Sequence, residues 1–292
     1  MTPQHPALTH PFLKGHGAEN DFVILPDPHG QLQLTPAQVR RLCDRRRGIG
    51  ADGLLRAVRS TATPDAAPQA GQAEWFMDYR NSDGTLGATC GNGIRLFARY
   101  LVDSGLARPG RFPIATRAGC RTVHCPAPPQ APVTVEMGRP RLPGPDRILV
   151  TAAGRSWPAV HVDMGNPHAV VLVDDLADAG DLRTAPTVEP ATAYPAGVTV
   201  EFVTILGPRH LALRVHERGV GETRACGTGA CAAVAALTTT PPPQVGGEYT
   251  VDAPGGRLCI RVHPDATMDL SGPAELTAHG TVRLASSQPQ PA

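Results

Sequence analysis

The chain of 292 residues is nearly without lysine: of its 27 basic residues only Lys14 is one, and the others are arginine. Pyridoxal-phosphate enzymes hold their cofactor through a lysine Schiff base, and nothing around Lys14 resembles such a site. Pyridoxal-phosphate chemistry is therefore not expected, and no other cofactor is expected either. Aromatic residues make up only 4%, so the core must be built from Val, Leu, Ile and Ala. Net charge is +1, from 27 basic against 26 acidic residues. This balance gives no electrostatic reason for a nucleic-acid or membrane partner. Apolar runs are short, such as the AVVLV stretch at 169–173, and fall far below membrane-spanning length. The N-terminal MTPQHPALTHPFLKGHG has no apolar core of a secretory signal. A soluble, cytosolic protein is expected.

A disulfide framework is also lacking, because the seven cysteines are an odd set in a chain of this size. Cys43, Cys231 and Cys259 lie among apolar or helical neighbours and read as buried bystanders. Cys120 and Cys125 form a C-x4-C pair with no matching second pair. They read as strand cysteines rather than zinc ligands, and no metal is expected.

What is present is a strand-rich α+β pattern. Val-rich runs at 21–27, 53–60, 74–80, 133–137, 159–165, 169–173, 198–203 and 211–217 predict strands. Helices are predicted over 35–46, with a Thr cap and an early Pro, over 91–105, and over 227–237. The second places Ile94, Phe97 and Leu101 on one face. The third is Ala-rich and reads as buried all round. Residues 60–73 look like a hairpin insertion, 125–132 like a domain linker, and 238–247 like the end of the third helix. The SSQPQPA tail reads as disordered.

One internal similarity organises the chain. T-C-G-N-G-I-R begins at Thr89 and A-C-G-T-G-A-C begins at Ala225, each just before a predicted helix. Two related halves follow, each with one such element. A cysteine at a helix N-terminus lies in the positive end of the dipole, which is expected to lower its pKa from about 8.5 toward neutrality. Glycines let backbone N–H groups approach a ligand, and the orphan donors of the first turn suit a carboxylate. Two such elements face to face would clamp one amino-acid carboxylate and leave the α-carbon between two sulfurs. One thiolate could then remove the α-proton while the other thiol protonates the opposite face. From the residues alone, a cysteine nucleophile with a histidine base and a redox pair stay open, although Cys90 and Cys226 are not C-x-x-C.

At these residues the chain resembles the diaminopimelate epimerase family. The resemblance is carried by N-S-D-G-T at 81–85, C-G-N-G-I-R at 90–95, M-G-N-P-H at 164–168 and H-E-R-G-V-G-E-T-R-A-C-G-T-G-A at 216–230. H-G-A-E-N-D-F at 16–22, G-I-G-A-D-G at 48–53 and G-P-A-E-L at 272–276 extend it over most of the chain. Related proline racemases carry Cys-Gly-His at the first site, where Asn92 stands here. The resemblance implies two pseudo-symmetric domains, each a curved mixed β-sheet wrapped around a central helix. These would span residues 1–127 and 128–277, with a strand from 278–292, near 281–285, returning to the first domain.

The activity it implies interconverts L,L- and meso-diaminopimelate on the route to lysine and peptidoglycan, in a cytoplasmic homodimer. Carried over by position, Cys90 and Cys226 are the acid/base pair. Gly91, Asn92, Gly227 and Thr228 cradle the reacting carboxylate. Asn20, Asn81, Asn166 and Thr199 read the distal end, Arg218 pairs with the distal carboxylate and Glu217 with the distal ammonium. His168 and Glu217 tune the thiols. Three positions depart from the family pattern: Thr199 for a usual Asn, Ala18-Glu19 for Leu-Gly, and Leu86 for a common Glu. Glu19 would weaken binding of the distal carboxylate if it pointed inward. The alternatives are a sister racemase acting on another amino acid and an inactive amino-acid-binding paralogue.

Overall fold

The computed structural model describes residues 8–143, 147–238 and 246–284. The first half comprises β1 (Leu8–Gly17), β2 (Asn20–Pro26), α1 (Pro36–Cys43), β3 (Gly53–Arg59), β4 (Trp75–Asn81), α2 (Gly91–Asp103), β5 (Gly110–Thr116), β6 (Gly119–Cys125) and β7 (Val133–Gly138). The second comprises β8 (Ile148–Ala152), β9 (Arg155–Asp163), β10 (Pro167–Leu172), β11 (Thr187–Glu189), β12 (Thr199–Gly207), β13 (His210–Glu217), β14 (Gly221–Thr223), α3 (Gly227–Thr238), β15 (Gly247–Ala253), β16 (Gly256–Val262) and β17 (Met268–Gly272). The last strand is β18 (Glu275–Leu284).

The two halves pair their strands in the same pattern. In the first, β1–β2 is antiparallel, β2–β3 parallel, β3–β4 antiparallel, β4–β5 parallel, and β5, β6 and β7 follow antiparallel. In the second, β9–β10, β10–β12, β12–β13, β13–β15 and the β15–β16–β17 run repeat that order. The halves join where β7 pairs antiparallel with β17. The chain then returns, and β18 pairs with β1 from Leu8↔Leu284 to His16↔Glu275, just as β8 pairs with β9. The expected return of the chain end to the first strand is thus observed. The strand starts at Glu275, earlier than expected, because the pairing continues past a bulge at Lys14/Gly15. The SSQPQPA tail, 286–292, where disorder was expected, lies outside the described residues.

Each sheet wraps around one helix. Residues Gly91–Leu101 of α2 are all buried, so this helix is enclosed rather than buried on the single face its pattern suggested. Of its two buried arginines, Arg99 reaches the carbonyls of Pro126 and Ala131 through its terminal nitrogens, tying α2 to the 125–132 segment that enters β7. Residues Gly227–Ala236 of α3 are buried, as its composition implied. The α1 helix stops at Cys43, short of the expected end at 46. The Asp44 carboxylate takes the N–H groups of Arg46 and Arg47 and turns the chain. Residues 60–73 form two short 3-10 turns linking the paired strands β3 and β4. The Pro-rich stretch following α3 falls largely outside the described residues.

Candidate active site

The two C-G-x-G elements meet at the junction of the halves. Cys90 caps α2: the Gly93 N–H donates to its Sγ at 3.4 Å, and the Ile94 N–H to its carbonyl at 2.9 Å. The same bonds recur at α3, where Gly229 N–H donates to Cys226 Sγ at 3.4 Å and Ala230 N–H to the Cys226 carbonyl at 2.9 Å. The helix starts abut. A Cβ placed on Gly227 would lie 3.3 Å from Gly91 Cα, and one on Gly91 would lie 3.5 Å from Gly227 Cα. Neither glycine has positive φ; the tightest neighbour of both is Leu270, whose Cδ2 would lie 2.9 Å from a Cβ on Gly91 and 2.7 Å from one on Gly227.

Asn92 stitches this junction. Its amide donates to the Ala225 carbonyl at 2.9 Å, across the halves, and to Asn20 Oδ1 at 3.2 Å. Its carbonyl accepts from Arg95 Nη2 at 2.9 Å, and Arg95 also bonds the Gly91 carbonyl at 3.2 Å. Arg95 is 0% exposed and has no carboxylate partner among the described residues. Burial lowers its pKa only to about 10, so a cation persists at neutral pH beneath two helix N-termini.

The thiols do not behave as the helix-dipole argument expects. Burial, then the nearby Glu217 carboxyl, pushes the Cys90 thiol up to about 12, against the lowering pull of the Gly93 and Asn92 N–H groups and of Arg95. Cys226, 5% exposed, is pushed well above its ordinary value by burial and by Glu217 and Glu201. Desolvation of the charged form outweighs the dipole in a closed site. Cys90 is half-buried, and its Sγ lies 3.8 Å from Asn20 Oδ1.

Both cysteines open on one cleft of about 570 Å³. Its walls include Asn20, Asn81, Asn166, Thr199, Glu217 and Arg218, together with Gly91, Asn92, Gly227 and Thr228. The structure therefore brings together every residue expected to touch substrate. His168 is fully buried behind the cleft, with Nδ1 2.6 Å from Glu201 Oε1. Asn81 bonds the Tyr79 hydroxyl at 2.7 Å and Thr85 at 2.9 Å. Among the described residues the Arg218 guanidinium bonds only the Ala196 carbonyl, through Nη1, and its backbone N–H reaches Thr199 Oγ1 at 3.4 Å. Asn20 lies at the thiol end of the cleft, beside Cys90, rather than with Asn81 and Arg218.

A family model described as diaminopimelate epimerase matches residues 12–143 and 160–277. The chain belongs to the diaminopimelate epimerase family. A relative from Streptomyces coelicolor named diaminopimelate epimerase is 55% identical, over 92% of this chain and 94% of its own length. One of the same name from Thermobifida fusca is 45% identical, over 94% and 98%. Two solved structures share the fold at low identity. A Bacillus anthracis phenazine biosynthesis protein of the PhzF family has a TM-score of 0.71 at 16% identity, covering 94% of this chain and 99% of its own. A hydroxyproline epimerase from Agrobacterium vitis has a TM-score of 0.69 at 15%, covering 97% and 95%.

Within this family the departures at 18–19 do not reach the cleft. Glu19 turns outward, pairs with Arg224 at 2.7 Å and is half exposed, so it places no charge beside the distal end. Thr199 and Leu86 do line the cleft. Sequence reasoning missed Tyr79, Asp52, Thr223 and Glu201. Asp52 accepts from Asn20 Nδ2 at 2.9 Å and turns Oδ1 of that amide toward Cys90 and Asn92. Thr223 donates to Glu217 at 2.5 Å. The one usable signal was Glu201, a lone charge inside the apolar run V-T-V-E-F-V.

Burial raises Glu217 from its ordinary 4.5 to about 7, helped by Asp52 and Glu201 and opposed by Thr223. The native state then binds more protons than the unfolded chain between those values. Its contribution to stability is full below about pH 4.5 and is lost as pH rises through about 7. Denaturant melts of wild type and Glu217→Gln across pH 4–8 check this. The difference between them should shift in favour of the variant as pH rises, and a difference independent of pH would refute the titration.

Proposed function

We propose that this protein is a diaminopimelate epimerase, interconverting L,L- and meso-2,6-diaminopimelate for lysine and peptidoglycan precursor synthesis. The observation that carries it is the pair of cysteine-capped helix starts abutting in one cleft. A carboxylate lying between them would take the first-turn N–H groups of Gly91, Asn92, Gly227 and Thr228. The α-carbon would sit between the two sulfurs. The thiolate of one cysteine takes the α-proton from one face, and the thiol of the other delivers a proton to the opposite face. One sulfur gains the proton the other loses, so no external acid or base is consumed. Negative charge building on the reacting carboxylate is met by fixed N–H donors and by buried Arg95. The substrate α-ammonium brings positive charge beside the thiols and favours ionisation of one of them despite burial.

At the far end Arg218 would hold the distal carboxylate and Glu217 the distal ammonium, with Asn81, Asn166 and Thr199 as neutral partners. Asn20, fixed by Asp52, orients Cys90 and Asn92. His168 acts with Glu217 on the charge around the thiols. We take the strands through β7, completed by the last strand, as one domain and β8–β17 as the other, each supplying one cysteine; this boundary lies later than the expected 127/128 because β7 continues the β5–β6 run. The reading includes a cofactor-independent, cytoplasmic homodimer acting on a small molecule. Proton NMR in D2O, with reductant, on L,L-diaminopimelate and a panel of single amino acids tests it. Deuterium entering one stereocentre of diaminopimelate is expected; exchange only on another amino acid would move the substrate.

A further inference from the structure

The two cysteines have different surroundings, and strand register identifies the difference. Phe22 stands opposite Gly53 in the parallel β2–β3 pair, and His168 opposite Thr199 in the parallel β10–β12 pair. Further along, Ile24 stands opposite Leu55 and Val170 opposite Glu201. Phe22 therefore corresponds to His168, and Leu55 to Glu201. In the first half a Cβ on Gly93, the residue whose N–H bonds Cys90, would meet Leu55 at 3.4 Å and Phe22 at 3.5 Å. In the second half a Cβ on Gly229, whose N–H bonds Cys226, would meet Glu201 Oε1 at 2.5 Å. The first helix start rests on hydrocarbon, and the second rests on a carboxyl.

The Glu201–His168 pair is sealed. Both side chains are 0% exposed, and His168 Nε2 and Glu201 Oε2 have no hydrogen-bond partner among the described residues. Such a pair stabilises a fold less than apolar side chains of similar volume. The first half builds the same sheet around the same helix with Phe and Leu, so the architecture does not require the pair. The groups facing it are Glu217 from β13, Cys226 from α3 and Tyr194 from the turn after β11. Cys226 thus feels two carboxyls, Glu217 and Glu201, whereas Cys90 feels Glu217 and the Arg95 guanidinium.

We propose that Glu201 is a positioning residue: acting through His168 and the helix turn at Gly229, it makes the two thiols unequal, so that Cys226 keeps its proton in the resting enzyme and Cys90 ionises first. This rests on the reading that the two cysteines exchange the α-proton. It adds an order to that exchange, because a resting form with the proton on Cys226 is ready for one stereoisomer and must be reset by the other.

The test measures the pH dependence of iodoacetamide labelling at each cysteine, by peptide mass spectrometry, in the substrate-free protein. The midpoint, unlike the rate, does not depend on how accessible each thiol is. In wild type the Cys90 midpoint should lie below that of Cys226. In Glu201→Gln the Cys226 midpoint should fall by about one pH unit, as expected for removing one nearby carboxyl. Glu201→Asp should restore it. The double variant His168→Phe/Glu201→Leu, copying the first half, should bring the two midpoints together and supplies a packed alternative if the Gln variant folds poorly. Equal midpoints in wild type, or an unmoved Cys226 midpoint in the variants, would overturn the proposal. Labelling needs no substrate, so its failure is distinct from a failure of the epimerase reading, which the NMR exchange reports.

Discussion

Replacing either Cys90 or Cys226 by alanine should lower the rate of α-proton exchange by about 10²–10⁴-fold, the usual worth of a positioned acid or base. Both thiols are needed because inversion requires a donor and an acceptor on opposite faces of one carbon. The nearby carboxyl groups do not replace them: Glu201 is sealed against His168 behind the second helix start, and Glu217 is held by Thr223. Stability should change little by comparison. Each Sγ accepts one N–H, from Gly93 or Gly229, and losing a helix cap costs about 1 kcal/mol. Serine should keep more of the cap than alanine but leave the rate low, since its hydroxyl does not ionise in this range. Exchange rates by NMR, read beside thermal melts, check the prediction. An alanine variant that folds and exchanges at close to the wild-type rate would remove that thiol from the mechanism.

Gly227→Ala should damage catalysis out of proportion to its size. The new Cβ would fall 2.7 Å from Leu270 Cδ2, 3.3 Å from Gly91 Cα and 3.3 Å from Asn92 Oδ1. Leu270 can yield by rotation, but the Gly91 backbone cannot yield without parting the two helix starts. Overpacking of this kind costs about 1–3 kcal/mol. The 3.3 Å contacts require the facing helix start to give by a few tenths of an ångström, so a rate loss of about tenfold is expected, below the roughly 10²-fold that a 1 Å misplacement costs. Adding Leu270→Ala should remove the 2.7 Å contact and return part of the stability while the rate stays low, because the contact with Gly91 remains. Recovery of full exchange in the double variant would show that the close approach of the helices is not what positions the thiols. Denaturant melts and NMR exchange on the single and double variants separate the two effects.

Local sequence determined much of this protein. Alternating and Val-rich runs marked strands, because side-chain direction repeats every two residues and one face must be buried. The two C-G-x-G elements marked the cysteines, because a cap, a close backbone approach and a helix start are all written in adjacent residues. The family resemblance carried the cleft residues onto positions that share one cavity.

Tertiary structure decided what depends on long-range neighbours. The direction of the thiol shift is one case: the helix dipole is a local property, but burial by β17 and the other helix start is not, and burial wins. The outward turn of Glu19 is another, because its partner Arg224 comes from the second half. The position of Asn20 beside Cys90 rests on Asp52 and Asn92, which parallel pairing and helix packing bring together. The unequal backing of the two cysteines was invisible as well. The repeat made the halves look alike, and only the register of β2–β3 against β10–β12 set Phe22 and Leu55 in correspondence with His168 and Glu201. Sequence patterns report what each residue asks of its immediate neighbours. Charge, burial and proton affinity are set by residues far along the chain, and only folding brings those within reach.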